Sequence, residues 1–261
     1  MRGRRLLLIA AVLVAGCGGT TADETTTPPE TPASIDVTVV SRHHHDPAAF
    51  TEGLVVHDGT LLEGTGLVGK SELRRVEIAS GRVIERRALP ADYFGEGVAV
   101  HGDRVFQLTW RNGVGLIWDD EDLTDAGRWT YTGEGWGLTT MGDELVMSDG
   151  TSVLHVVDPR TREVTRQIDV TRDGLPQDQL NELEYIGDGR IAANVWMTTT
   201  IVVIDAKSGI VTHVVDLAEL AAEQPATAME MNGIAVDPDT GNWLVTGKNW
   251  STLYEIDPHL S

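Results

Sequence analysis

Apolar positions along the chain come in short runs in which apolar and polar residues tend to alternate, cut at intervals by Gly, Asp and Pro. A run beginning at Leu138 is cut by Met141-Gly142-Asp143, Glu144 to Ser148 by Asp149-Gly150-Thr151, and Ser152 to Val157 by Asp158-Pro159-Arg160-Thr161, before Val164 to Val170. A two-residue period between tight-turn signals predicts strands, four to this unit. The same turn chemistry returns at Asp58-Gly59, His101-Gly102-Asp103, Gly187-Asp188-Gly189 and Asp237-Pro238-Asp239. Each unit opens on a similar triplet: Glu52-Gly53-Leu54, Glu96-Gly97-Val98, Trp136-Gly137-Leu138, Glu182-Leu183-Glu184 and Asn232-Gly233-Ile234, with middle residues 44, 40, 46 and 50 apart. A repeat of about 45 residues made of strands predicts an all-β fold, a five-bladed β-propeller.

The fifth unit, from Asn232, is too short for a fourth strand, and Ile35 to Ser41 has no partner of its own. Pairing this N-terminal strand with the last blade would close the ring and remove exposed sheet edges. One helical interruption is expected, at Leu217 to Glu223.

The start of the chain has a different composition. Arg2, Arg4 and Arg5 precede an apolar stretch, Leu6 to Val14, which ends in Val14-Ala15-Gly16-Cys17. The stretch is too short to span a bilayer and reads as a signal peptide, 1–16. The last four residues resemble a lipobox, which would make Cys17 the lipidated first residue of an exported protein, anchored at the outer face of the cytoplasmic membrane. Cys17 is the sole cysteine, so the domain would have neither a disulfide nor a thiol nucleophile. Residues 17–34, rich in Thr and Pro, read as a tether, leaving 35–261 for the propeller. A net charge of -20 argues against nucleic acid as a partner, and a closed ring without a long apolar patch points to a monomer.

Candidate chemistry sits at equivalent places in the units. Trp110, Asp149, Trp196 and Lys248 each precede an Asp (Asp119, Asp158, Asp205, Asp257) by nine residues. Trp110, Trp136 and Trp196 fall at strand ends beside turns and suit a pocket wall; Trp118, Trp129 and Trp243 are assigned to interblade packing. Glu96, in Tyr93-Phe94-Gly95-Glu96-Gly97, lies between glycines and after two aromatic rings, where desolvation would raise its proton affinity toward that of a general acid or base. Lys248 offers a cation near the same ring. His43-His44-His45 alternate faces on a strand and cannot converge on one metal. Thr65-Gly66-Leu67-Val68-Gly69-Lys70-Ser71 lacks P-loop spacing, and neither a Gly-x-Ser-x-Gly elbow nor a His-Glu-x-x-His helix is present.

Eight stretches in order resemble the glutaminyl-peptide cyclotransferases of the plant-latex and bacterial type: Phe50-Thr51-Glu52-Gly53-Leu54, Tyr93-Phe94-Gly95-Glu96-Gly97, Gly135-Trp136-Gly137-Leu138, Ser148-Asp149-Gly150-Thr151, Asn181-Glu182-Leu183-Glu184-Tyr185, Ala193-Asn194-Val195-Trp196, Asn232-Gly233-Ile234-Ala235 and Thr246-Gly247-Lys248. The resemblance implies a five-bladed propeller and conversion of the N-terminal Gln of peptides or proteins to pyroglutamate, with release of ammonia and no catalytic metal. It implies a site in which Glu96, Lys248 and Asn181 serve catalysis and Trp110, Trp136, Trp196, Phe50 and Phe94 hold the substrate. Glu52 also falls in the site but departs from papaya-like sequences, which carry Gln there. Two other classes remain open: a non-catalytic, lipid-anchored propeller that binds peptide N-termini, and a cation-dependent propeller lactonase or dehydrogenase. For the latter, Glu182, Asn232 and Asp149 could supply some ligands of an ion in the central channel.

Overall fold

The structure, a computed structural model, describes residues 31–260; the expected signal segment and Cys17 lie outside them. Two strands, β1 (Ala33–Ile35) and β2 (Thr38–His44), precede the first blade, which contains β3 (Thr51–His57), β4 (Thr60–Thr65), β5 (Glu72–Glu77) and β6 (Arg82–Ala88). The second contains β7 (Gly95–His101), β8 (Arg104–Thr109), β9 (Val114–Asp119) and β10 (Asp125–Thr130), and the third β11 (Leu138–Met141), β12 (Glu144–Met147), β13 (Val153–Val157) and β14 (Val164–Asp169). A small hairpin, β15 (Thr171–Arg172) and β16 (Leu175–Pro176), leads to the fourth: β17 (Leu180–Tyr185), β18 (Arg190–Val195), β19 (Thr200–Asp205) and β20 (Val211–Asp216). The one helix among the described residues, α1 (Ala218–Ala222), precedes β21 (Met231–Val236), β22 (Trp243–Gly247) and β23 (Thr252–Asp257) of the fifth.

Closure follows the expected route, with one difference. β2 pairs antiparallel with β23, from Thr38 opposite Asp257 to His44 opposite Thr252, and supplies the missing outer strand of the fifth blade. The chain just before it does not continue that strand. β1 instead pairs parallel with β20, Ala33 opposite His213 and Ile35 opposite Val215. The N-terminal segment therefore covers the outer edge of the fourth blade and then completes the fifth, protecting two sheet edges where one was foreseen. Ala33 and Ser34, expected in the tether, belong to β1.

The glycine that marks each of the first three units has a structural cause. A Cβ on Gly53 would lie 2.6 Å from Val98 N and 2.8 Å from Gly97 Cα; on Gly97, 2.6 Å from Trp136 O; on Gly137, 2.8 Å from Glu182 Cα and Leu183 N. The innermost strands β3, β7, β11, β17 and β21 thus meet around the ring, and at these glycines backbone approaches backbone too closely for a side chain.

Register corrects two equivalences read from the sequence. Leu183 pairs with Ala193 after a bulge, as Val98 pairs with Gln107 and Ile234 with Val245. The fourth opening is therefore Asn181-Glu182-Leu183, one residue earlier than expected, and Asn181 joins Glu52, Glu96, Trp136 and Asn232 at one ring position. Glu182 takes the glycine's place. Its carboxyl reaches both the first and fifth blades, accepting hydrogen bonds from Leu54 N at 3.3 Å and Ile234 N at 2.8 Å. Two residues on, Glu184 accepts from Val236 N at 3.0 Å and Thr139 Oγ1 at 3.2 Å, tying its blade to the fifth and third. Burial pushes Glu184 up to about 7; burial, then the charge of Glu184, holds Glu182 well above the usual carboxylate range.

The second correction concerns Asp149. Met147 pairs with His155, one residue nearer in sequence than the matching pair Gln107 and Leu116. The counterpart of Trp110, Trp196 and Lys248 is therefore Gly150, and the first blade contributes Gly66. Asp149 instead lies 3.0 Å from His155 Nε2 and accepts from Thr151 N at 3.0 Å. Trp118, Trp129 and Trp243 are buried in interblade clusters, as expected.

Candidate active site

The innermost strands begin at one end of the propeller, and the turns after the second strands surround the same end. This places Glu52, Glu96, Asn181 and Asn232 deep, all of them buried, and Trp110, Trp196 and Lys248 above them. Gly66 keeps its corner of the mouth clear: a Cβ there would lie 2.5 Å from the Phe94 ring and 3.1 Å from Glu52 Cγ. Gly150 does the same for Trp136, whose indole would be 2.7 Å from an added Cβ.

The aromatic residues form a continuous arc. Lys248 Nζ lies 4.9 Å from the Phe50 ring centroid; Phe50 meets Phe94 edge-on at 6.0 Å, and Phe94 meets Trp110 at 5.5 Å. Trp110 Nε1 donates to Glu134 Oε2 at 2.8 Å, and Trp136 Nε1 donates to the same oxygen at 2.9 Å. Trp136 then packs edge-on against Trp196, centroids 5.5 Å apart, with Trp196 36% exposed at the outer end. All five aromatic residues implied by the family resemblance stand in this arc.

Three ionisable groups sit against it. Glu52 Oε1 is 3.0 Å from Lys248 Nζ, and Asn232 Nδ2 donates to Glu52 Oε2 at 3.0 Å. Burial pushes Glu52 up to about 7 against the lowering effect of Lys248. Glu96 is held well above the usual carboxylate range by burial first and then by the negative charge of Glu52; Lys248 opposes the rise and Glu134 adds to it. Glu96 thus feels charges from one end of the arc and from its middle. Among the described residues, neither the Glu96 carboxyl nor the Asn181 carboxamide has a hydrogen-bond partner, so both are available to a ligand.

Two members of this arrangement escaped the sequence reading. Glu134, in Gly133-Glu134-Gly135-Trp136, has the same glycine flanks that drew attention to Glu96, and that signal could have found it. Asn232, read as a unit opening and a conceivable ion ligand but given no role in the site, is the residue that orients Glu52; its amide also donates to Thr51 O at 3.1 Å. The other conceivable ligands are separately engaged, Glu182 by backbone N–H groups and Asp149 by His155 and Thr151.

The three adjacent histidines diverge as expected. His43 Nε2 lies 2.8 Å from Ser41 Oγ, whereas His45 is buried between Trp250 O at 2.8 Å and Glu63 Oε1 at 3.0 Å. Among the described residues, the one His and carboxylate cluster tight enough for a metal is His57, Asp58 and Asp120, at the far end of β3 from Glu52. A groove of about 430 Å³ lined by Arg87, Leu89, Trp118 and Arg128 shares no residue with the arc.

The family model for glutamine cyclotransferase matches residues 8–257. A glutaminyl-peptide cyclotransferase of Arabidopsis thaliana is 38% identical over 227 residues, covering 85% of this chain and 71% of the relative. The crystal structure of Myxococcus xanthus glutaminyl cyclase superposes with a TM-score of 0.80 at 33% identity, covering 87% of this chain and 97% of that one. With the match spanning the whole five-bladed ring, this chain belongs to the glutamine cyclotransferase family.

Proposed function

We propose that the chain is a glutaminyl-peptide cyclotransferase that closes the N-terminal Gln of peptides or proteins to pyroglutamate and releases ammonia. The observation that carries the reading is a buried carboxyl with no hydrogen-bond partner among the described residues, Glu96, which feels the charges of Glu52 and Lys248 at one end of the aromatic arc and of Glu134 at its middle. The nucleophile comes with the substrate: its α-amine attacks the carbon of its own γ-carboxamide. Glu96 as carboxylate takes one proton from the attacking nitrogen and returns it to the amide nitrogen, the bond from that nitrogen to carbon breaks, and ammonia leaves. The books balance, since the amine loses the proton that the leaving group gains.

Phe50, Phe94 and the three tryptophans favour the folded-back conformer, in which amine and carboxamide are in contact; such orientation can contribute several kcal/mol, about 7 or more in the best intramolecular cases. Asn181 has a free amide donor for the developing oxyanion. Lys248 is engaged by Glu52, which suits it to electrostatic support of the oxyanion, the two side chains acting as a buried pair. A binding module for peptide N-termini would not need a carboxyl whose proton affinity is raised in this way, and among the described residues Glu182 and Asp149, the ligands a lactonase would draw on, are engaged by protein partners.

The test is incubation of the purified protein, in a strong chelator, with a Gln-initiated peptide and an Asn-initiated control. Ammonia and the matching mass loss from the Gln peptide alone are expected; an unchanged peptide would end the reading, and activity restored only by added metal would end its metal-free form. From the lipobox-like Val14-Ala15-Gly16-Cys17 and the closed ring we further propose an exported monomer held at the membrane by acylated Cys17. The mass of the mature N-terminal peptide tests the anchor, and an unmodified Cys17 would remove it.

A further inference from the structure

We infer that Glu134, with Arg111, is a positioning device of the cyclisation site: it locks the indoles of Trp110 and Trp136 into one wall that carries a fixed negative charge. This inference rests on the function proposed above. The two tryptophans come from different blades, Trp110 from the turn after β8 and Trp136 from the residues entering β11. Each indole has a single polar handle, its N–H, and both handles end on Glu134 Oε2, at 2.8 and 2.9 Å. One shared acceptor removes the rotational freedom of both rings relative to each other, which no stacking contact between them provides.

The other carboxylate oxygen is held as firmly. Glu134 Oε1 accepts from Arg111 Nε at 2.8 Å, and the Arg111 guanidinium lies 3.7 Å from the Trp110 ring centroid. Trp110 is thus covered by Arg111, contacted by Phe94 and tethered through its nitrogen. The segment carrying Glu134 is pinned on its C-terminal side, with Gly135 N donating to Trp110 O and Trp136 N to Ser148 O, both at 3.0 Å. Partial burial would raise the Glu134 carboxyl, but its hydrogen bonds to Arg111, Trp136 and Trp110 hold it below the usual range, so it remains ionised. Three of its roughly four acceptor positions are in use, which favours a positioning role over capture of the substrate's ammonium group.

Two variants separate the hydrogen bonds from the charge. Glu134→Gln keeps the shape but replaces one acceptor by a donor, so either both indoles or Arg111 lose their acceptor. Expected are a near-ultraviolet circular dichroism change from the indoles without substrate, a fall in kcat of about tenfold or more, and an acid limb of kcat/KM displaced to lower pH, because Glu96 loses a repelling charge. Arg111→Met leaves the acceptor and strips its counterion, so the limb should move to higher pH with a smaller loss of kcat. Glu52, Lys248 and Tyr131, the other titratable groups near Glu96, are unchanged in both.

Opposite displacements of the limb in the two variants support the device. A raised KM in Glu134→Gln with kcat and the limb unchanged would overturn it in favour of direct binding of the amine. Unmoved limbs in both variants would reduce Glu134 to a structural contact and also overturn it. If the wild-type protein does not cyclise Gln peptides, the proposed function fails first; the indole signal still reports on the clamp, and its absence counts against the clamp alone.

Discussion

Glu96→Gln is expected to lower kcat for a Gln-initiated peptide by roughly two to four powers of ten, the range for general acid and base groups, while KM changes much less. The substitution keeps volume and hydrogen-bonding capacity but can neither take the amine's proton nor return it. The pH dependence gives a second readout. Because burial and the charge of Glu52 raise the proton affinity of Glu96, the carboxylate form that accepts a proton grows as pH rises. Wild-type activity should therefore fall on the acid side as both Glu96 and the substrate amine become protonated, and in the variant that limb should keep only the amine's contribution. Near-full activity with an unaltered limb would move the proton to another group, and Glu52, pushed up to about 7 in the same cluster, would be the next candidate.

Gly137→Ala should cost about 3 kcal/mol or more, at the upper end of overpacking penalties. The added Cβ would stand 2.8 Å from Glu182 Cα and Leu183 N, atoms of a neighbouring innermost strand that cannot swing aside as a side chain would. Because Gly137 follows Trp136 directly and β17 carries Asn181, relief of the clash should also depress turnover in whatever fraction remains folded. Gly142→Ala is the control: Gly142 has φ of 62° and nothing within 4 Å of an added Cβ, so only backbone strain of about 1 kcal/mol applies. Urea unfolding distinguishes them. Equal stability of Gly137→Ala and wild type would mean that the inner strands are not in contact as described.

Five blades were legible because Gly53, Gly97 and Gly137 sit where neighbouring inner strands approach backbone to backbone, and Gly233, at a φ of 122°, kept the mark in the fifth unit. The fourth unit was misaligned by one residue because Glu182 stands in the glycine's place, and its neighbours Leu183 and Glu184 mimicked the opening triplet. Only strand pairing across the bulge reveals that Asn181 is the counterpart of Glu96. The third unit was misread at Asp149 because the paired residues Met147 and His155 are one residue nearer in sequence than their counterparts Gln107 and Leu116, so a constant distance to the next Asp did not mean a constant position.

Closure by the N-terminal segment was readable from the missing fourth strand of the last blade. The parallel pairing of β1 was not, because a three-residue strand has too little pattern to announce a partner. Most of the aromatic wall could be named in advance, but what joins its halves could not. A carboxylate between glycines looks the same in sequence whether it is free for a substrate, as proposed for Glu96, or holds two indoles, as Glu134 does. Glu52, an apparent anomaly beside papaya-like sequences, becomes intelligible once Lys248 and Asn232 are seen on either side of its carboxyl.

The most direct test of the account is the structure of Glu96→Gln, slow enough to trap substrate, with an intact Gln-initiated peptide bound. The account predicts the N-terminal Gln folded back against Trp110 and Trp136, its α-nitrogen within hydrogen-bond reach of residue 96 and its carboxamide oxygen toward Asn181 or Lys248. A peptide N-terminus bound away from residue 96, or an extended Gln side chain with amine and carboxamide apart, would contradict it.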